Sequence, residues 1–199
     1  DGIDFCLKDG YYGDTRFHIP FIAWYQVMNA SLALITMEVL KDKLPVGMEQ
    51  LQAGIKNTRW QGRMETILPG VIVDGAHNED GVRRFVETAE RFQEEYPLTL
   101  LFSAVNDKDY QDMIHTICSR IRFRKVVTTE VGGYREVPSA KLAEIFRKEG
   151  CREVGNSDNI EEAFHMACEA KREDGMLFCV GSLYLVGEIK ALLQKEGIL

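Results

Sequence analysis

The chain has 199 residues, with 24 lysines and arginines against 31 aspartates and glutamates, so its formal net charge is −7. The apolar share of 45% and the charged share of 28% are typical of folded globular proteins and exclude a disordered chain. The acidic balance argues against wholesale binding to nucleic acid or to an anionic membrane, because both need a positive surface. We therefore expect neither as a partner.

The number and spacing of the cysteines indicate the cellular compartment of the protein. The five cysteines are odd in number and form no C-x-x-C pair. This argues against a disulfide framework and against a zinc site. No basic segment followed by an apolar one opens the sequence as a secretory signal would. We expect reduced, mostly buried thiols and a cytoplasmic location.

The first 48 residues predict a β-hairpin followed by one helix. Residues 1–18 carry strand-like runs on both sides of Lys8-Asp9-Gly10, which is typical of a turn. Residues 20–40 are apolar enough to raise the question of a membrane span. Polar residues interrupt this run, so a buried helix is the better interpretation. A hairpin with one helix is too small for a domain, and the first residue is Asp, so we expect a fragment whose first segment packs against a larger body.

The pattern changes after a predicted linker at residues 49–58. From residue 59 onward, short apolar runs start at 71, 98, 125, about 151 and 176. A spacing of 25–27 residues is that of one strand plus one helix, and amphipathic stretches lie between the runs. This predicts an α/β fold for residues 59–199: a Rossmann-like, mostly parallel sheet with helices on both faces. Ligands of such sheets bind beyond the carboxyl ends of the strands.

The loop after the first of these strands, Asp74 to Glu79, is the richest candidate site. Asp74 ends an apolar strand, and Asn78 can cap the helix that follows. Helix amides beside the imidazole of His77 would suit a phosphate, and Asp74 could accept a hydrogen bond from a ribose hydroxyl. The alternative is that Asp74 and Asn78 only cap and that His77 is an ordinary surface residue.

Three further loops carry candidates of lower specificity. Lys108 lies between acidic residues that could hold Mg²⁺, although a solvated loop with Asp109 as a helix cap explains the run as well. Ser182 follows the last strand and could either cap a helix or bind a carboxylate. Arg63 precedes a predicted hairpin and could reach a phosphate or lie across the sheet.

The sequences of these loops, taken in their order along the chain, resemble the motifs of a known family. The segments WQGRMET, VIVDGAHNEDG, NDKD and VGSLYLVGE follow one another in the order of W-P-G-R-M-E, D-G-A-H-N-P, D-K-D and G-S-L-Y. Those strings are usual in the C-terminal half of the folylpolyglutamate synthase/dihydrofolate synthase family of the Mur ligase superfamily. HIPFIAWYQVMNASLAL is similar to the end of that family's central ATPase domain, which closes on a Gln-x-x-Asn-Ala helix, here Gln26 to Ala30. Gln61 and Glu79 stand where the family usually has proline.

The resemblance implies an ATP-dependent, amide-forming ligase of folate biosynthesis and one-carbon metabolism. ATP phosphorylates the terminal carboxylate of the folate or dihydropteroate, and the amine of L-glutamate then attacks the acyl phosphate. The implied cofactors are ATP and Mg²⁺. Residues 1–48 would be the remnant of the central ATP-binding domain, and residues 59–199 would be the C-terminal glutamate ligase domain.

The resemblance also implies roles for individual residues. Arg63 would reach the transferring phosphoryl group and His77 would lie near the phosphates or the glutamate, so both are the predicted catalytic residues. Asp74 would hold the ATP ribose, and Asn29 would approach the adenine. Lys108 and Ser182 would bind the carboxylates of the incoming glutamate.

The same resemblance predicts that part of the active site lies outside this sequence. No G-x-x-x-x-G-K-[ST] phosphate loop occurs in the 199 residues. In the family this loop, the Mg²⁺ ligands and a modified lysine precede the position of residue 1. We therefore expect the chain to hold no metal ligand of its own, to need its N-terminal domain as a partner, and to be inactive alone.

Two other classes of protein are alternative interpretations of this sequence. A receiver-like signalling domain would use Asp74 as a phosphoacceptor, but it predicts an acidic cluster after the first strand and a lysine after the fifth, and neither is present. A non-catalytic α/β binding or scaffolding domain would keep the fold without the chemistry, and the sequence leaves this alternative open.

Overall fold

A computed structural model describes residues 2–8, 10–133 and 136–199. The chain divides into two compact units, the first ending at Gln61 and the second beginning at Gly62. This division lies three residues after the predicted start of the second domain at residue 59. Each unit has a hydrophobic core of its own.

The first unit contains a small sheet and two helices. Strands β1 (Ile3–Phe5) and β2 (Phe17–Ile19) pair antiparallel, as the hairpin prediction requires. Asp9 of the predicted turn lies outside the described residues. Helix α1 (Tyr25–Val39) begins five residues later than Pro20, because a turn from the carbonyl of buried Ala23 to the amide of Gln26 comes first.

Helix α2 (Met48–Asn57) occupies most of the segment predicted as a linker at residues 49–58. Leu51 and Ile55, one helical turn apart, pack against the core of the first unit. The side chain of Gln52 donates a hydrogen bond of 2.9 Å to the carbonyl of Arg16. The segment is helical because these two apolar residues find a partner surface, which a polar composition does not reveal.

Within this chain, the helix that was predicted to be buried is buried on one face only. Only Gln26, Ala30 and Leu34 of this helix are buried. The opposite stripe is exposed and apolar, and its members are Trp24, Met28, Leu32, Ile35 and Val39. One hairpin and one further helix cover a single face of α1, because a unit this small has too few elements to surround a helix. None of the helices in the described residues combines the length and the apolar character needed to cross a membrane.

The second unit alternates strands with helices. Its strands are β3 (Glu65–Leu68), β4 (Val71–Asp74), β5 (Leu98–Phe102), β6 (Phe123–Thr128), β7 (Val154–Asn156) and β8 (Met176–Val180). Its helices are α3 (Glu79–Ala89), which a 3₁₀ segment at Glu90–Glu94 extends, α4 (Tyr110–Arg120), α5 (Ser139–Lys148), α6 (Ile160–Lys171) and α7 (Leu183–Lys195). The strands predicted at 71–74 and 176–180 have these bounds in the structure.

The six strands form one sheet in the order β3-β4-β8-β5-β6-β7. All neighbours are parallel except β3, which forms an antiparallel hairpin with β4. The predicted mostly parallel sheet is therefore confirmed. Because β4, β8 and β5 lie side by side and run in one direction, the loops that follow them meet at one edge of the sheet. We call this edge the carboxyl edge.

Both faces of the sheet are covered by helices. Side chains of β4 and β8 alternate: Val73 and Cys179 pack with residues of α6 and α7 in one cluster. Phe178 points the other way and makes edge-to-face contacts with Phe85 of α3 and Phe92. Continuously buried strands such as β4 and β5 are typical of a sheet with helices on both sides.

Candidate functional site

Asp74 lies at the centre of the candidate site on the carboxyl edge. It is the last residue of β4 and only 2% exposed. One carboxylate oxygen accepts a hydrogen bond of 2.8 Å from the amide of Met64, and the other accepts one of 2.8 Å from the amide of Ala76. The side chain thereby joins the loop before β3 to the loop after β4.

The environment of Asp74 changes its acidity. Burial raises the pKa of this carboxyl from its ordinary value of 3.8 to about 6, because the charged form loses its hydration. The two amide hydrogen bonds and the positive charges of Arg63 and His77 act in the opposite direction and favour the carboxylate. The group therefore ionises just below neutral pH, at a position where its charge faces a cationic side chain.

The loop that carries Arg63 is held in a strained and well-anchored conformation. Met64 is buried and adopts a φ of 45°, which is uncommon for a residue other than glycine. The amide of Gly62 donates 2.7 Å to a carboxylate oxygen of Glu65, whose other oxygen pairs with Lys190 of α7 at 2.8 Å. These contacts fix the backbone on both sides of Arg63, while its guanidinium has no hydrogen bond or ion pair within the described part of the chain.

A close approach of backbones joins three loops at the carboxyl edge. The amide of Gly75 donates a hydrogen bond of 2.7 Å to the carbonyl of Gly62. A Cβ atom at Gly75 would lie 2.2 Å from a methyl group of Leu183, in the first turn of α7. A larger residue at this position would therefore have to displace the side chain of Leu183, and the loops before β3, after β4 and after β8 meet there.

His77 stands at the rim of this junction and is half-buried. Its Nδ1 lies 2.8 Å from the carbonyl oxygen of Gly75. A carbonyl can only accept, so Nδ1 carries the proton and Nε2 is left to accept a hydrogen bond or, when protonated, to donate one. The ring is thus oriented by the same loop that places Asp74.

The three residues predicted to cap helices do so in the structure. The side chain of Asn78 accepts from the amide of Gly81 at the start of α3, and that of Asp109 accepts from the amide of Asp112 at the start of α4. Ser182 is 1% exposed and accepts from the amide of Tyr184 at the start of α7. Three helices therefore begin at the carboxyl edge with the positive ends of their dipoles toward it.

The loops after β5 and β8 touch at Gly181. This residue has a φ of 109°, and a Cβ atom there would lie 2.1 Å from the carbonyl oxygen of Ser103. The hydroxyl of Ser103 is buried without a hydrogen-bond partner in the described residues. Lys108 is half-buried farther along the same loop, just before α4.

The predicted residues thus fall into two groups. Arg63, Asp74 and His77 share one hydrogen-bonded junction, and Ser182 starts the helix that packs on it. Lys108 lies on the loop after the neighbouring strand. Asn29 belongs to the first unit, where it is exposed and its side chain donates 2.7 Å to that of Gln26.

Four contributors to the junction were not predicted as functional. Gly62, Met64 and Glu65 shape the loop of Arg63, and Lys190 anchors it from α7. Glu65 and Lys190 are 125 positions apart, so no local pattern could have paired them. The glycine before Arg63 was the one available signal, since glycine tolerates the positive φ of 68° found there.

A known family model matches most of the second unit. Residues 62–183, well over half of the chain, match the family model described as Mur ligase, glutamate ligase domain. The chain therefore belongs to the Mur ligase family, and its second unit is the glutamate ligase domain.

Two individual proteins are similar to this chain, one in sequence and one in sequence and structure. The chain is 29% identical over 200 residues to the dihydrofolate synthase/folylpolyglutamate synthase of Bacillus subtilis, covering 96% of this chain and 44% of that protein. It is 25% identical to Mycobacterium tuberculosis folylpolyglutamate synthase complexed with ADP, with a TM-score of 0.76 over 88% of this chain and 41% of the other.

A third likeness, at 19% identity, shows the fold alone. The Yersinia pestis folylpolyglutamate synthase/dihydrofolate synthase, complexed with AMPPNP and Mn ion, has a TM-score of 0.75 over 92% of this chain and 42% of its own. The chain spans less than half the length of each of these three proteins.

Proposed function

We propose that this chain is part of an ATP-dependent ligase that adds L-glutamate to folate or dihydropteroate through an acyl phosphate. The observation that carries the proposal is the junction of Arg63, Asp74 and His77, built in the domain that the family model matches. The guanidinium of Arg63 and the oriented imidazole of His77 both act electrostatically on Asp74 at the carboxyl edge, where helix α3 begins, and such groups suit an anion such as a transferring phosphoryl group.

Each of the three residues would have its own role in the reaction. Phosphoryl transfer to a carboxylate concentrates negative charge, which Arg63 would offset from a backbone that is already fixed. His77 would place its Nε2 near the phosphates or the glutamate amine. Asp74 would accept from the ribose: two of its lone pairs are engaged, and two remain for a ligand hydroxyl if the covering residues move.

The substrate glutamate would bind beside the nucleotide. Lys108 offers a point charge for a carboxylate, and Ser182 keeps its hydroxyl proton for donation because its oxygen is the capping acceptor. Asn29 would approach the adenine from the first unit. The dihydrofolate synthase and folylpolyglutamate synthase activities would both need these contacts to ATP and glutamate. The relatives are named for one or both activities.

ATP and a divalent metal are used in the family, since relatives were solved with ADP and with AMPPNP and Mn ion. We propose Mg²⁺ as the metal, with its ligands supplied from outside this chain. Among the described residues, Glu161, His165 and Glu196 form the one group spaced to hold a metal, and all three are exposed, two on α6 and one just after α7. The proposal includes a cytoplasmic location and the N-terminal part of the ligase as partner.

The test compares substitutions in the full-length ligase that carries this chain. Arg63→Ala and His77→Ala should each lower the rate of ATP-dependent glutamate addition, by about 100-fold or more for Arg63, because a preorganised donor to the phosphoryl group is lost. The assay measures ADP release together with incorporation of labelled glutamate.

Matched controls are available on the surface. Arg59→Ala removes an exposed arginine that bonds only carbonyls of its own loop, and His165→Ala removes an exposed histidine of α6. Both should leave the rate near that of the unsubstituted enzyme. Unchanged ligation in the Arg63 and His77 variants would instead favour the non-catalytic binding or scaffolding domain.

A further inference from the structure

We propose that Cys118 and Cys151 form a reversible disulfide site that links α4 to the segment after α5. Their Sγ atoms lie 3.6 Å apart although the residues are 33 positions apart in the sequence. Both thiols are free and half-buried. The number and spacing of the cysteines argued against a disulfide framework and could not show that these two residues meet.

The backbone around the pair already holds the two sulfurs close. Cys118 lies in the last turn of α4, and the amide of Cys151 donates 3.0 Å to the carbonyl of fully buried Phe146 in α5. His115 Nδ1 and Glu149 Oε2 form a second link between these helices at 2.9 Å. A disulfide requires the sulfurs to approach by about 1.5 Å more, within the reach of side-chain rotation and small backbone shifts.

The two thiols are not equivalent. The hydrogen bond between them lowers the pKa of Cys151 and raises that of Cys118, since the Cys118 thiol donates to the Cys151 thiolate. Cys151 is therefore the better first nucleophile. Burial raises the pKa of Cys168 to about 11, and Cys179 is completely buried, so neither competes well for an oxidant.

The proposed reaction is thiol–disulfide exchange with a low-molecular-weight disulfide. The Cys151 thiolate attacks one sulfur of the oxidant, forming a mixed disulfide and releasing one small thiolate. Cys118 then loses its proton and attacks the sulfur of Cys151, which releases the second small thiolate. In total the protein loses two protons and two electrons, and the oxidant becomes two thiols.

The crosslink lies away from the candidate site. Cys118 precedes β6 and Cys151 precedes β7, so the pair lies near the amino ends of these parallel strands. The Arg63–Asp74–His77 junction lies at the opposite, carboxyl edge. The disulfide should therefore stabilise the unit without changing its binding residues, because it restrains the unfolded chain.

The experiment oxidises the protein with glutathione disulfide and records its intact mass and peptide map. In a protein whose exposed Cys6 is replaced by serine, we expect a loss of about 2 Da, a crosslinked peptide containing Cys118 and Cys151, and recovery of both thiols with dithiothreitol. Tm should rise by about 5 °C on oxidation and return on reduction.

Substitutions identify the partners. Cys118→Ser and Cys151→Ser should each abolish the mass loss, and the matched Cys168→Ser should retain it. The peptide map of the unsubstituted protein identifies the crosslinked cysteines even if a variant folds poorly. A glutathione adduct that persists on Cys118 or Cys151, or a crosslink between other cysteines, would overturn the proposal.

Discussion

At the scale of single residues, Asp74 connects two loops of the candidate site. Its carboxylate bonds the amides of Met64 and Ala76, so one side chain sets the distance between the Arg63 loop and the His77 loop. A buried carboxylate is costly unless its oxygens are hydrogen-bonded, and both are. The motif predicted a ligand contact for Asp74, and the structure adds the role of joining two loops.

The raised pKa of Asp74 predicts a specific dependence of stability on pH. The folded state holds the proton up to about pH 6, whereas the unfolded chain releases it near 3.8. The folded state therefore binds more protons between these values, and the contribution of Asp74 to the free energy of unfolding rises as the pH falls from about 6 to 4. The full difference is on the order of 3 kcal/mol.

Urea unfolding at several pH values between 4 and 7 checks this prediction against Asp74→Asn. The variant should lose this component of the pH dependence and should be less stable at pH 7, because an amide NH₂ would face a backbone N–H. Glu173→Gln, which changes an exposed carboxylate of the same unit, is the control. Parallel pH curves for the Asp74 variant and the unsubstituted protein would contradict the prediction.

At the scale of elements, the turn from β8 into α7 places the end of one strand against the end of another. Gly181 has a φ of 109°, and its α-carbon lies against the carbonyl of Ser103 at the end of β5. Ser182 then caps α7 within the same turn. The sequence pattern predicted the strand, the cap and the helix, but it did not predict this contact between neighbouring loops.

The contact predicts that Gly181→Ala is strongly destabilising. Its Cβ would overlap a backbone oxygen, and alanine disfavours the required φ, so we expect a loss of more than about 2 kcal/mol in the free energy of unfolding. Gly187→Ala, inside α7 with no atom within 4 Å of its Cβ, should instead stabilise by about 0.5–1 kcal/mol. Chemical denaturation measures both variants, and equal stabilities would refute the prediction.

At the scale of the whole molecule, the two units differ in how much core they contain. Among the described residues, the first has seven buried hydrophobic residues in its cluster, which come from the hairpin segment and one face of α1. The second has a six-stranded sheet covered on both faces. A hairpin of two strands is marginal by itself, whereas a covered sheet is a complete domain.

We therefore predict that residues 62–199 fold when expressed alone. The fragment should show a cooperative thermal transition and a near-ultraviolet circular dichroism signal from packed aromatic rings. Residues 1–61 alone should show neither, because the apolar stripe of α1 and the small hairpin bury too little surface. A non-cooperative transition in the longer fragment would show that its core depends on the preceding residues.

The sequence by itself determined the fold class, five of the strands of the second unit and the capping residues, because these depend on local periodicity and on side chains near their own backbone. It also pointed to Arg63, Asp74 and His77 through the order of the motifs. It did not reveal which face of α1 is exposed within this chain or which surface α2 packs against, since both depend on tertiary contacts.

Only the tertiary structure decided how the site is built. The bonds from Asp74 to Met64, from Gly75 to Gly62 and from Lys190 to Glu65 join residues that the chain separates by 10 to 125 positions. The pair of Cys118 and Cys151 arises in the same way. Such contacts exist because the parallel sheet brings the ends of distant strands and helices to common edges, which no local pattern in the sequence encodes.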